Sequence, residues 1–333
     1  MSKVEWVPNI KQIAKEMYQK GFRGITPGHR LCAGCVAGVI VKQLMMAARK
    51  PIVVLNATGC LEVATTIFPY TAWEVPWAHN AFENAAAVAS GVEAARRKLL
   101  RVGRFANDPD VEMDYDIVVF AGDGGTYDIG LQALSGAIER GHKFLYILYD
   151  NEAYMNTGIQ RSGSTPLGAW TTTTPAGKKI PGKPVWKKPL VDIIAAHRPP
   201  YVATVSPYFW NDALMKFRKG LEADGPAFIR AFSTCNRGWY CAPEESIAIS
   251  KLAVETCIFP LFEVINGVEW KLSSPSLAIA KNPEKKKPVE EYLKTQRRFR
   301  HLFEPENKWL LKRIQEMVDY EWDLLLQRVG LKG

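Results

Sequence analysis

The stretch Ile117-Val118-Val119-Phe120-Ala121-Gly122-Asp123-Gly124 decides the fold, together with a second one, Phe144-Leu145-Tyr146-Ile147-Leu148-Tyr149-Asp150-Asn151. Each opens as a short apolar run that reads as a buried strand. Between them, Ile129 to Arg140 has helical spacing and Gly141 closes it. Strand, helix and strand in that order form a βαβ unit with parallel strands. Asp123 and Asn151 then stand at the carboxyl ends of two parallel strands, the edge at which such sheets bind ligands. A carboxylate and an amide oxygen suit Mg²⁺, which takes few protein ligands and completes its octahedron with phosphate and water oxygens. The flanking glycines let the backbone approach a diphosphate and offer N–H groups to it. A Gly-Asp-Gly after a strand is also an ordinary βα turn, so the reading needs support from the rest of the chain.

The same alternation continues on both sides. Ala37 to Ala48 reads as helix, Ile52 to Leu55 as strand, and Phe82 to Leu100 as a long alanine-rich helix. Arg101 to Asp114 is a polar connection. Val191 to Ala196 and Ala213 to Leu221 read as helices, Tyr201 to Val205 and Ala227 to Phe232 as strands. This predicts an α/β fold with a parallel sheet flanked by helices. Residues 1–28 read as an arm with a short amphipathic helix, Ile10 to Tyr18, and 29–242 as the binding domain. Residues 243–333 read as a helical C-terminal extension for subunit contacts, with helices near Ile247 to Thr256 and Trp309 to Val329 joined by a lysine-rich stretch. Thr157 to Lys188 is a long loop without regular structure, a length that usually carries function.

The 333 residues allow one large domain or two small ones, and 47% hydrophobic residues suffice for a sizeable core. No stretch has the unbroken apolar length of a membrane span. Met1 to Arg30 has no apolar signal core, so a cytoplasmic location is expected. The net charge of +9 is scattered, apart from Lys281 to Lys287 and Arg297-Arg298-Phe299-Arg300, which read as solvated faces. Nothing resembles a nucleic-acid platform, whereas a small acidic electron carrier would be attracted. No G-x-G-x-x-G joins a strand to a helix, which excludes a nicotinamide-binding reading.

The six cysteines carry the supporting signal. Without an export signal, metal binding or catalysis is a better reading than disulfides. Cys32-Ala33-Gly34-Cys35 precedes a helix. Cys60 follows the strand Ile52 to Leu55, and Cys235 follows the strand Ala227 to Phe232. The last two sit at the same sheet edge as Asp123. Four thiolates there can hold a [4Fe–4S] cluster or a Zn²⁺ ion, and spacing alone does not choose. Cys257, in an apolar segment, reads as a small core residue, and Cys241 is ambiguous.

Long stretches resemble the beta subunits of the 2-oxoacid:ferredoxin oxidoreductases. They are Gly28 to Cys35 (GHRLCAGC), Asn56 to Val63 (NATGCLEV), Phe68 to Trp73 (FPYTAW), Phe82 to Ala87 (FENAAA), Ala121 to Gly130 (AGDGGTYDIG) and Asp150 to Gly158 (DNEAYMNTG). The resemblance implies a thiamine diphosphate-binding fold with a [4Fe–4S] cluster held by Cys32, Cys35, Cys60 and Cys235. It implies Mg²⁺ bound by Asp123, Asn151 and the Ala153 carbonyl, with Gly122, Gly124 and Gly125 against the diphosphate and Asn156 facing the substrate. The implied activity is CoA-dependent oxidative decarboxylation of a 2-oxoacid, with electrons leaving through the cluster. Pyruvate is favoured by Asn56-Ala57-Thr58-Gly59-Cys60; a branched-chain or aryl 2-oxoacid is the alternative, and a non-redox zinc-stabilised scaffolding subunit a remote one. An alpha subunit would supply the catalytic glutamate and part of the substrate pocket. Gamma and ferredoxin-like delta subunits would complete the complex, and ferredoxin or a similar carrier would accept the electrons. The chain departs from the family at Cys235-Asn236-Arg237-Gly238-Trp239, where Cys-Pro-Thr-Gly-Trp is usual, and in having Cys241.

Other residues have two readings. His79 and Glu83, before the alanine-rich helix, face the cofactor or serve that helix's first turn. His29 is a turn histidine or lies near the cluster. His142, His197 and His301 read as ordinary surface or helix-end residues. Trp73, Trp77 and Trp239 read as packing residues, and Arg161 and Thr165 as shaping the cofactor pocket.

Overall fold

A computed structural model describes residues 6–20, 24–105, 108, 111–177, 179 and 181–332. Parts of the expected N-terminal arm and of the polar connection at 101–114 lie outside these residues. After α1 (Ile10–Lys20) and α2 (Ala37–Ala47) the chain enters the sheet through β1 (Ile52–Ala57), α3 (Cys60–Thr65) and β2 (Trp77–Asn80). The centre is α4 (Ala85–Arg101), β3 (Asp116–Gly122), α5 (Leu131–Glu139) and β4 (Leu145–Asp150), with a π-helical turn at Gly124–Ile129. Then follow α6 (Leu190–Ala196), β5 (Tyr201–Val205), α7 (Trp210–Glu222), β6 (Ala227–Phe232), α8 (Asn236–Trp239) and α9 (Ser246–Glu255). The chain ends with β7 (Phe262–Ile265), β8 (Glu269–Leu272), α10 (Ser274–Lys281), α11 (Val289–Lys294) and α12 (Lys308–Arg328).

The eight strands form one sheet in the order β2-β1-β3-β4-β6-β5-β7-β8. The first six are parallel to one another, β7 pairs antiparallel with β5, and β8 pairs antiparallel with β7 at the edge. The expected parallel sheet is therefore the body of a mixed one. Residues 243–333 are not only helical: they give this sheet its last two strands. The hairpin between them turns through Asn266 (φ 53°) and Gly267 (φ 70°), a left-handed pair that favours tight hairpins.

Side chains alternate between the two faces, as the pleat requires. On β3, Ile117, Val119 and Ala121 enter one core, with α4, α5 and the C-terminal helices. Val118 and Phe120 enter the other, with α2 and α7. The chain leaves β1 toward β2 on one side and β3 toward β4 on the other. The strand order thus reverses between β1 and β3, and the crevice at their carboxyl ends is the place where such sheets take ligands. Among the described residues no helix is long and apolar enough to cross a membrane.

A Cβ at Gly267 would lie 2.4 Å from the Ala195 carbonyl oxygen, in a backbone conformation unfavourable to alanine. Gly267→Ala is expected to cost about 2 kcal/mol. It should lower a single melting transition of the whole chain. A separate early transition would instead mark residues 243–333 as an independent unit.

Candidate functional site

Two neighbouring cavities open at the β1–β3 crevice. The first is lined by Thr58, Gly59 and Cys60 after β1, by Gly122, Asp123, Gly124 and Gly125 at the end of β3, and by Tyr149, Asn151, Ala153, Tyr154, Met155, Asn156 and Thr157 at and beyond the end of β4, with Phe82. The second is lined by Cys32, Cys35, Cys60 and Cys235, with Arg30, Asn236 and the apolar Val63, Ala64 and Ile67. Cys60, Asn151 and Asn156 belong to both. Sequence-expected cofactor and cysteine residues thus stand at two sides of one shared wall.

Backbone, not side chains, makes the floor of the first cavity. Tyr154 Oη donates to the Gly124 carbonyl at 2.9 Å, and its ring lies 2.2 Å from where a Cβ of residue 124 would be. Only glycine fits beneath it. Glu83 is exposed and does not line the cavity. The helix expected from Phe82 begins at Ala85, so Glu83 precedes it. His79 is half-exposed, with Nε2 2.8 Å from Thr58 Oγ1 and Nδ1 3.7 Å from Glu62.

Three buried carboxylates surround the loop after β4, and they are not equivalent. Asp150 pairs with Arg230 Nε at 2.7 Å and accepts from Ser164 Oγ at 2.6 Å. Glu152 lies between Lys187 and Arg298 and is itself fully buried. Burial alone would raise its pKa, but the two cations pull it below the usual carboxylate range. Its contribution to stability is therefore present above that range and is lost as pH falls through the folded value. Asp123 has no protein cation among the described residues. Its Oδ2 accepts from Ser162 Oγ, and burial and the charge of Asp150 push its pKa well up. One terminal atom of the Asn151 amide stands 2.9 Å from Asp123 Oδ1 and 2.9 Å from the Ala153 carbonyl oxygen. As nitrogen it donates to both. As oxygen it stands from each of them at the spacing of adjacent vertices of a Mg²⁺ octahedron, about 2.9–3.0 Å for Mg–O bonds of about 2.1 Å.

At the second cavity, Cys35 closes the CxxC turn by donating its N–H to the Cys32 carbonyl at 2.9 Å. Cys235 caps α8 and its Sγ accepts from Gly238 N–H at 3.3 Å. Burial and the neighbouring thiols push Cys60 up to about 12 and Cys35 up to about 11. The four sulfurs thus lie close enough to feel one another. Among the described residues no three Cys, His, Asp or Glu groups converge on a point that would hold a single metal ion. Cys241 does not line the cavity, and Cys257 is a core residue, as expected. Asn236 faces the cavity, while Arg237 is exposed.

The sequence reading missed what joins the two cavities. Arg298 was expected on a solvated face but is buried, because its guanidinium pairs with Glu152 and lies 4.0 Å over the Trp239 ring. Trp239 Nε1 donates to the Asn151 carbonyl at 2.8 Å. The packing role read for Trp239 is thus joined by a hydrogen bond. Thr165 acts from beneath the pocket, donating to the Glu152 carbonyl at 2.7 Å, and Arg161 is exposed. His197 ends α6 and bonds Ser135 at 2.7 Å.

Residues 57–231 match the family model of the thiamine pyrophosphate enzyme C-terminal TPP-binding domain. The chain is 53% identical over 323 residues to pyruvate synthase subunit PorB of Thermotoga maritima, covering 96% of this chain and 95% of that one. It is 50% identical to the PorB subunit of Methanocaldococcus jannaschii, over 95% and 99%. To the ketoisovalerate oxidoreductase subunit VorB of Pyrococcus furiosus it is 42% identical, over 98% of each. Among solved structures, the 2-oxoglutarate:ferredoxin oxidoreductase of Magnetococcus marinus shares the fold, with a TM-score of 0.52 at 23% identity over 65% of this chain and 67% of that one.

Arg298→Met leaves Glu152 buried with one cation and uncovers the Trp239 ring. A loss of about 3 kcal/mol in unfolding free energy is expected from urea denaturation. The losses of Arg298→Met and Glu152→Gln should not add, because each removes the same ion pair; purely additive losses would show that the two residues do not act as one.

Proposed function

The chain belongs to the thiamine pyrophosphate enzymes and, within them, to the PorB subunits of pyruvate synthase, and from that membership we propose how its two cavities serve the reaction. It is the beta subunit of a multi-subunit oxidoreductase acting on 2-oxoacids, of the pyruvate-specific kind. Thiamine diphosphate binds at the first cavity through Gly122, Gly124 and Gly125, with Mg²⁺ held by Asp123, Asn151 and the Ala153 carbonyl. A [4Fe–4S] cluster occupies the second, on Cys32, Cys35, Cys60 and Cys235. The observation that carries the metal assignment is Asp123, the buried carboxylate of three that has no cation of its own. An oxygen cluster of that spacing suits Mg²⁺. Four thiols around a shared cavity, rather than around a point, favour a cluster over zinc.

When bound, thiamine diphosphate supplies the nucleophilic carbon and electron sink for decarboxylation, and the cluster a one-electron acceptor. The protein's own part is placement. Asn156 borders both cavities and presents a non-titrating amide to the substrate. Cys60, also on the shared wall, brings the acceptor close to the reacting carbon. The partner alpha subunit supplies the glutamate that activates the cofactor and closes the substrate pocket. Gamma and delta subunits complete the complex, CoA takes the acyl group, and ferredoxin or a similar carrier takes the electrons. The complex works in the cytoplasm.

The test is viologen reduction by the native complex, purified without oxygen, across a panel of 2-oxoacids with CoA and thiamine diphosphate. Pyruvate should lead. A branched-chain or aryl 2-oxoacid in the lead would overturn the substrate and keep the chemistry.

Two variants separate the cavities. Asp123→Ala should lose Mg²⁺-dependent cofactor binding with iron content near normal. Cys60→Ser should lose iron while still binding the cofactor; an intact cluster there would make Cys241 or another group the ligand.

A further inference from the structure

The turn Ser162-Gly163-Ser164-Thr165 sits beneath the loop after β4, and its three hydroxyls reach three different places. Ser162 Oγ donates to Asp123 Oδ2, Ser164 Oγ to the Asp150 carboxylate, and Thr165 Oγ1 to the Glu152 carbonyl. This template is held by one cation. The Lys183 side chain is buried, and its Nζ donates to the Thr165 carbonyl at 2.5 Å and to the Ser162 and Gly163 carbonyls at 3.4 Å each. Among the described residues no carboxylate lies within ion-pair distance of it. Three carbonyls around a buried unit charge are the surroundings of a bound monovalent cation.

We propose that Lys183 is a positioning residue for the metal side of the cofactor site, a tethered cation that organises the 162–165 turn and so holds Ser162 against Asp123. Ser162 takes Oδ2, which leaves Oδ1 facing the Asn151 amide. The carboxylate is thereby presented to Mg²⁺ through one chosen oxygen. Burial first, then the charge of Arg161, push the Lys183 pKa down to about 8, so keeping a charge here is costly. A side chain needed only to fill space would carry none.

The inference rests on Asp123 being a Mg²⁺ ligand. The experiment measures the Mg²⁺ concentration at half-saturation for retention of thiamine diphosphate by the native complex after gel filtration. It compares wild type, Lys183→Ala and Ser162→Ala. Lys183→Ala is expected to need roughly tenfold more Mg²⁺, the loss of about one charge-assisted hydrogen bond. Ammonium or methylammonium chloride should restore the requirement, and tetramethylammonium, which has no N–H to donate to the three carbonyls, should not. Ser162→Ala should show the same rise with no rescue. Lys183→Met, which keeps most of the volume, covers an alanine variant that fails to fold and should also need more Mg²⁺. An unchanged requirement in the lysine variants, or a rise in Lys183→Ala that no small cation relieves, overturns the inference. If wild type retains the cofactor without any divalent cation, the metal assignment falls first and the inference with it.

Discussion

Glu152 is the point on which the site hangs. It is a fully buried carboxylate between Lys187, from the long loop, and Arg298, from the C-terminal region. Arg298 also lies over the ring of Trp239, whose indole N–H holds the carbonyl of Asn151, the residue beside Glu152. Trp239 follows Cys235 by a single helical turn. A closed circuit thus joins the loop of the cofactor cavity to the loop of the cysteine cavity. Buried ion pairs seldom add much stability over apolar packing, but they penalise every arrangement that separates the partners. Here the penalty falls on any relative shift of two loops that must meet at one wall.

The same logic explains the charge pattern. Asp150 and Glu152 are neutralised from within the chain, by Arg230 and by Lys187 with Arg298. Asp123 is given a hydroxyl but no cation. A buried carboxylate with no counter-charge is costly, and a divalent cation removes that cost. The protein thus neutralises Asp150 and Glu152 from within and leaves Asp123 without a counter-charge, a deficit that the proposed Mg²⁺ would fill.

Much of this was legible in the sequence. The apolar runs at 52–55, 117–121, 144–149, 201–205 and 227–232 lie in strands, and strand ends fix where Asp123, Asn151, Cys60 and Cys235 go. The β7–β8 hairpin was also written, in Asn266-Gly267, but its strands are four residues each and border a polar, lysine-rich stretch that masks them. β2, with Trp, His and Asn in four residues, has no apolar period to read. Arg298 was not legible at all. It stands among other basic residues, and only the tertiary fold tells which of them meets a buried acid. Ser162 and Lys183 were hidden for the same reason, since a loop without local periodicity takes its shape from what it touches.

Arg298 has one more consequence, for biogenesis. Glu152 and the residue that completes its pairing are 146 positions apart. Cys32 and Cys235 are likewise brought together only after most of the sheet has formed. A chain emerging from the ribosome folds its N-terminal portions first. It therefore exposes the Gly-Asp-Gly turn and the CxxC turn long before it can lock either of them. The loop that carries Glu152 and the helical turn that carries Trp239 are clamped together only once the last fifth of the polypeptide has docked. The distant arginine acts as a proof of completeness, read out by the geometry of the site itself.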